Sequence, residues 1–426
     1  MGKCVAILGL GKSGRAAADF FLNRGIEVWG IDKKAHELRV DKRLILCTEE
    51  QKMPIFDQLI ISPGVSPKHF LCQQAKEVIG EIELACRYLK QKVLGVTGTN
   101  GKTTVTSLIA HVLTTAGLAA KAVGNIGEPL INFINDPSIL VVELSSFQLE
   151  TLKTPVFDQA AILNITPDHL ERYTSFDEYA QAKFRIQQGL KKNAPLYLAP
   201  SVREKYPSKV YHKPIYEFGF SNSYPIFIEG TKLHIKENVE YNLPLRYKNS
   251  KCHDVENIMV AAAFAHSLGV SNEHFNRALS SFKKPPHRLE FVGSVSNVDF
   301  YNDSKGTNVD AVLKAVQALS KPIHLIAGGV DKGASYKPWV HCFRNKVRQI
   351  FAMGEAASRI KNEVSDTVNV LEVNGLDEGV ALAYESAASG DIILLSPGCS
   401  SYDMFANFEE RGHVFKQIVA DLRRKE

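Results

Sequence analysis

Long apolar runs are missing from this sequence. No window of about 18 or more apolar residues occurs among its 426 positions, so no segment is expected to span a bilayer. Paired cysteines are missing as well: Cys4, Cys47, Cys72, Cys86, Cys252, Cys342 and Cys399 are odd in number, widely spaced and free of any CxxC pair. Neither a disulfide framework nor a zinc site follows, and a reducing cytoplasm is the expected setting. An excess of one charge is also absent. The balance of 51 basic against 46 acidic side chains, net +5, is spread evenly along the chain, which argues against a nucleic-acid groove and for a small anionic substrate. Repeats and low-complexity tracts are not found. The opening MGKCVAILGLG carries an apolar run too short for a signal peptide and runs into a glycine turn.

What is present is α/β alternation. Short apolar runs (KCVAILG, EVWGID, KVLGVTG, ILVVEL, DQAAILNIT, PIHLIAGG, QIFAMG, DIILLSPG) alternate with segments of helical period, which predicts parallel sheets buried on both faces. A fresh β run follows the helical segment EIELACRYLKQ near Gln91, and Lys283-Lys284-Pro285-Pro286 cannot continue a helix. Three domains are therefore expected, over residues 1–91, 92–285 and 286–426. Between Tyr197 and Tyr247 the pattern turns to short strands with scattered prolines, an expected antiparallel extension of the middle domain.

After the strand KVLGV comes Gly98-Thr99-Asn100-Gly101-Lys102-Thr103-Thr104, then a helical pattern in which Val105, Leu108, Ile109, Val112, Leu113 and Ala116 share a face and Gly117 supplies the stop. Strand, glycine loop and helix is the geometry a phosphate needs. Backbone N–H groups point at the anion, Lys102 adds a point charge, and the Thr103 hydroxyl can reach a magnesium ion. Val96 stands where the usual eight-residue pattern has glycine, so the match is to a shorter variant. Such a site also needs an acid at a neighbouring strand tip, and SILVVELSSFQLE supplies Glu143.

A second glycine loop, GLGKSG from Gly9 to Gly14, also lies between a strand and a helix, with Asp32 at the next strand tip. Taken alone it predicts a nicotinamide oxidoreductase. Length argues otherwise, because the second sheet begins near Lys92 and leaves room for about one mononucleotide half. Lys33 and Lys34 after Asp32 suit a diphosphate.

Polar residues gather at further strand tips. Pro167-Asp168-His169-Leu170-Glu171 follows DQAAILNIT, and His169 there could bind a metal. Lys183, by spacing alone, is a solvated helix lysine. His253 and Asn257 share a helix face, for which capping and solvation are the ordinary account. Towards the end, His287-Arg288, NDSKGTN (302–308), GGVDKGA and SPGCSSYDMFANFEERG set Lys305, Lys332 and Arg411 in or near strand tips, as cations able to hold carboxylates.

Together GTNGKTT, ELSSFQLE, NITPDHLERY, PHRLEF, NDSKGTN and SPGCSSYDMFANFEERG, in this order, closely resemble the Mur ligase family from the first residue to the last. The resemblance implies a Rossmann-like N-terminal domain, a central P-loop ATPase-type parallel sheet and a C-terminal Rossmann-like domain that closes over an amino acid. It implies ATP-driven amide formation by a cytoplasmic monomer, with ATP, D-glutamate and UDP-N-acetylmuramoyl-L-alanine as partners and two Mg²⁺ ions. Carried over by position, the family's phosphate loop falls on Gly101, Lys102, Thr103 and Thr104, with Lys102 catalytic, inside the run Gly98 to Thr104 already expected to bind ATP. The metal residues are Thr103, Glu143, His169 and Lys183, the last as a carbamate. Asn257, Arg288 and Asp303 match contacts to adenine, ATP phosphate and ribose. Thr307, Lys332, Ser401 and Phe408 fall on the amino-acid side, where Lys305 is also expected as a strand-tip cation, and Ser13, Asp32, Lys33, Lys34 and Asn125 on the uridine-diphosphate and muramoyl side. Four positions depart from the family pattern: Lys33 and Lys34 stand where threonine and arginine are common, Asp254 replaces an asparagine, and Gly306 replaces an alanine. The rivals are the nicotinamide enzyme, a bare P-loop switch, a sibling ligase with another amino acid and a folylpolyglutamate synthetase.

Overall fold

The computed structural model describes residues 4–38, 40–235, 239–247 and 253–425; Cys252 lies outside them. The chain divides into two compact units, Met1–Ile165 with Ala180–Phe282, and Thr166–Tyr179 with Lys283–Glu426.

The first unit holds two sheets. Strands β1 (Val5–Leu8), β2 (Val28–Ile31), β3 (Ile45–Cys47), β4 (Gln58–Ile61) and β5 (Val78–Gly80) pair in the order β3-β2-β1-β4-β5, all in parallel. Because the order reverses beside β1, the crevice at its carboxyl end is a topological switch point. That end carries GLGKSG, and the helix Lys12–Leu22 follows it. The second sheet comprises β6 (Val93–Thr97), β7 (Ala120–Gly124), β8 (Ile139–Glu143), β9 (Gln159–Ile162), β10 (Leu196–Leu198), β11 (Ile215–Gly219), β12 (Ile226–Glu229), β13 (Lys232–Ile235) and β14 (Val239–Asn242). Its order is β14-β13-β12-β11-β10-β9-β6-β8-β7. β6 is buried at every position, as an apolar run flanked by parallel strands must be.

Two expectations are corrected here. The extension over Tyr197–Tyr247 is antiparallel only where β12 turns back into β13 and β14; β10, β11 and β12 join in parallel. The helical pattern around EIELACRYLKQ is regular only over Glu81–Cys86. This short helix ties the two sheets together through buried carboxylates. Glu81 accepts the Ile131 N–H at 2.7 Å, and Glu83 accepts the N–H groups of Lys153 and Thr154 and the Thr154 hydroxyl. Backbone donors from one sheet's connections thus end on acids of the other, which satisfies the donors in a dry setting, while Oε2 of Glu81 is buried without a hydrogen-bond partner among the described residues.

The second unit is built on β15 (Glu290–Val295), β16 (Val298–Asn302), β17 (Ile323–Gly328), β18 (Val347–Met353), β19 (Asn369–Glu372) and β20 (Ile392–Leu395), in the order β15-β16-β20-β17-β18-β19. Only β15 runs antiparallel, in a hairpin with β16 whose two turn residues, Ser296 and Asn297, both have positive φ, as a tight primed turn requires. Helices cover both faces over two apolar cores. Six cysteines are free thiols, and among the described residues no helix is long and apolar enough to cross a membrane.

Candidate active site

In the first unit the loop 98–101 leaves β6 between the tips of β8 and β9. Asn164, just past β9, holds it by three bonds: its carbonyl accepts the Thr99 N–H at 2.9 Å, its Oδ1 accepts the Asn100 N–H at 2.8 Å, and its Nδ2 donates to the Asn100 carbonyl at 3.1 Å. Gly101 precedes the helix Lys102–Thr115 in the left-handed region, φ 85°. A Cβ there would stand 2.8 Å from the Asn257 Oδ1, so glycine is required twice, by conformation and by space. That contact also places Asn257, which is buried, against the glycine loop 98–101. The surface account of this residue from helix spacing is therefore wrong. Lys102 Nζ donates to the carbonyls of Gly98 and Thr99 at 2.8 and 2.7 Å, and Thr103 and Thr104 are buried at the helix start.

Two charged residues flank this loop. Glu143, 1% exposed at the tip of β8, accepts the Asn125 Nδ2 on Oε1 at 2.9 Å, while its Oε2 is buried without a hydrogen-bond partner in the described structure. A buried carboxylate oxygen in that state is costly unless a cation or donor meets it, so the position suits an oxygen-seeking divalent ion. Lys183, also 1% exposed, donates from Nζ to the Gly98 carbonyl at 2.8 Å. The solvated lysine expected from spacing is instead a core residue bonded to the glycine loop. Among the described residues no three His, Cys, Asp or Glu side chains cluster as a metal site.

At the switch point of the first sheet, Asp32 accepts the Leu10 N–H on one oxygen at 2.8 Å and the Lys34 N–H on the other at 3.0 Å. It therefore shapes the glycine loop. Ser13 is half-buried there, while Lys33, Lys34 and Asn125 are exposed. Lys12 reaches across to the Gly127 carbonyl at 2.7 Å and to Glu128 at 2.9 Å. A cleft of this unit is lined by Ser62, Pro63, Glu81, Phe147, Gln148 and Thr151. Sequence reasoning missed it; the available signal was the SPG turn after the apolar run of β4.

In the second unit, loops leave the adjacent strands β16, β20 and β17 and bond to one another. Gly398 donates to the Gly306 carbonyl at 2.7 Å, Gly328 to Pro397 at 2.8 Å and Val330 to Ser400 at 3.0 Å. Burial pushes the Asp303 carboxyl up to about 6, against the Ser396 hydrogen bond and the Arg288 charge. Ser396 Oγ donates to it at 2.7 Å. Lys305 lies over the Phe408 ring, 4.9 Å from its centroid, and Ser401 is buried nearby in sequence to the same helix start. Lys332 lies 3.4 Å from the Thr307 hydroxyl. Arg411 departs from expectation: it is 0% exposed, and its guanidinium bonds the Ser304 hydroxyl and the carbonyls of Ser304 and Cys399. Burial lowers its pKa to about 10. It ties two tip loops together rather than holding a substrate carboxylate. His169, in the segment 166–179 of this unit, has φ 55° and pairs with Glu171 at 3.1 Å.

Three family descriptions match the chain: "Mur ligase MurD-like, N-terminal domain" over residues 3–82, "Mur ligase middle domain" over 96–265 and "Mur ligase, glutamate ligase domain" over 287–399. The UDP-N-acetylmuramoylalanine–D-glutamate ligase of Protochlamydia amoebophila is 42% identical over 98% of this chain and 98% of its own. That of Koribacter versatilis is 37% identical over 100% and 99%. Two solved structures share the fold. The UDP-N-acetylmuramate-alanine ligase MurC of Thermotoga maritima has TM-score 0.61 at 16% identity, covering 100% of both chains. The MurF ligase of the same organism, in complex with ADP, has TM-score 0.61 at 16% identity, covering 100% of this chain and 96% of its own.

Proposed function

The chain belongs to the Mur ligase family, and from that premise we propose that it joins D-glutamate to UDP-N-acetylmuramoyl-L-alanine, with ATP cleaved to ADP and phosphate, in peptidoglycan precursor synthesis. The observation that carries the reading is the loop 98–101, opening a helix between the tips of β8 and β9 with Glu143 and Lys183 at its flanks. That is a triphosphate site, and the relatives at 42% and 37% identity narrow the acceptor and the amino acid.

The acceptor's free carboxylate attacks the terminal phosphorus, the bond to ADP breaks, and an acyl phosphate forms. The D-glutamate amine then adds to the carbonyl carbon, and the tetrahedral intermediate expels phosphate as the amine proton leaves. Two anions meet in the first step. Lys102 and the N–H groups at the helix start offset their repulsion. Thr103, Glu143, His169 and a carbamylated Lys183 are the residues assigned to two Mg²⁺ ions, which when bound supply charge neutralisation at the phosphates. Asn257 is assigned to adenine, Arg288 to ATP phosphate and Asp303 to ribose. Lys305, Thr307, Lys332, Ser401 and Phe408 are assigned to D-glutamate, and Ser13, Asp32, Lys33, Lys34 and Asn125 to the UDP-sugar. The division at residues 91 and 285 belongs to the same proposal, with one sheet per domain. So do a monomeric state and a cytoplasmic setting, the latter supported by the six free thiols.

The test is phosphate release by the purified chain with ATP, magnesium and UDP-N-acetylmuramoyl-L-alanine, scanned over amino acids. Release that requires D-glutamate supports the ligase. No ADP under those conditions refutes it, and a change in NAD absorbance without ATP favours the oxidoreductase.

A further inference from the structure

Lys332 is not held by its own loop alone. Its Nζ lies 3.1 Å from Oδ1 of Asp168, 164 positions away in sequence, and the two side chains are only 9% and 7% exposed. The second oxygen of Asp168 accepts the Asn308 Nδ2 at 3.1 Å. Asn308 is itself fixed, because its Oδ1 caps the helix Val309–Ala318 by accepting the Ala311 N–H at 2.8 Å. The neighbour Asp331 is pinned by Arg359 and by the Tyr336 hydroxyl at 3.2 Å, so the backbone under Lys332 has little freedom.

We propose that Asp168 is a positioning residue for the amino-acid substrate: its carboxylate holds the Lys332 ammonium beside Thr307, where a substrate carboxylate is to be received. The proposal rests on the reading that Lys332 and Thr307 contact D-glutamate. An ammonium has three donors; Asp168 and Thr307 engage two, and the third serves an incoming carboxylate. At this separation the two side chains form a buried ion pair, and removing one partner leaves the other charge uncompensated.

The experiment is steady-state phosphate release with the full chain, varying each of the three substrates in turn, for the wild type, Asp168→Asn, Lys332→Ala and the double variant. Asparagine keeps the shape and an acceptor for Asn308 but cannot act as counter-ion. The expected result is a rise of about tenfold or more in the KM for D-glutamate, with the KM for ATP within about twofold, and no further rise when Asp168→Asn is added to Lys332→Ala. Asp168→Glu, which restores the charge, recovers part of the loss and serves if the asparagine variant folds poorly. An unchanged D-glutamate KM in folded Asp168→Asn overturns the proposal, as does an equal rise for all three substrates or the same factor in both backgrounds. Failure of the functional reading is seen separately, as a wild type without D-glutamate-dependent release.

Discussion

Lys183 and the Gly98 carbonyl, 85 positions apart, meet at 2.8 Å in the interior of the first unit. A lysine ammonium buried to this degree is expensive unless its surroundings use it. If it carries carbon dioxide as a carbamate, the charge at this spot changes sign and can face a metal ion. Lys183→Ala is expected to lose activity by on the order of 10²-fold or more, and a short carboxylic acid with bicarbonate restores part of it. Full activity in the variant, or no restoration, counts against the carbamate.

Asn164 links the tip of β9 to the glycine loop 98–101, proposed to hold the ATP phosphates, through its side chain as well as its backbone. Asn164→Ala keeps the backbone bond to Thr99 and removes both side-chain bonds to Asn100. At about 1 kcal/mol each, the expected effect is a rise of roughly thirtyfold in the KM for ATP, with acceptor and amino-acid KM values little changed. Substrate-by-substrate kinetics measure this directly; an unaltered ATP KM removes Asn164 from the site.

Glu81 makes stability depend on pH in a stated direction. Burial pushes its carboxyl from 4.5 up to about 7, while the N–H groups of Ile131 and Leu130 pull it down. Between those values the native state binds more protons than the unfolded one, so stability falls as pH rises from about 4.5 to about 7 and then levels. The loss for this group is on the order of 3 kcal/mol. Urea midpoints at pH 5 and pH 8 should drop less in Glu81→Gln than in the wild type. Equal drops would show that another group is responsible.

Gly306 stands where the family pattern has alanine. A Cβ at this position would lie 2.4 Å from the Asp303 Oδ2 and 2.9 Å from the Ser396 hydroxyl. Gly306→Ala is therefore expected to displace the Asp303–Ser396 bond, with a strain cost of about 1–3 kcal/mol and weaker nucleotide binding. Thermal unfolding and ADP titration test the two effects. A variant as stable as the wild type, with unchanged ADP affinity, would show that this loop relaxes freely.

Much of the protein was legible along the chain. Apolar runs of strand length alternating with helical periods specify parallel α/β sheets, because a strand buried on both faces must be apolar throughout. The strand, glycine loop and helix over Val93–Thr115 were legible because the signal is local, with glycines, a lysine and a hydroxyl within seven consecutive residues after a strand. Arg411 was misread for the opposite reason: a cation near a strand tip in sequence can face either solvent or core, and only packing set its guanidinium on backbone carbonyls. Packing likewise buried Lys183, turned Asn257 towards Gly101, joined Asp168 to Lys332 and ended backbone donors on Glu81 and Glu83. Spacing along a strand or helix gives the face on which a side chain lies; what that face meets is a through-space property, and only the tertiary structure decides it.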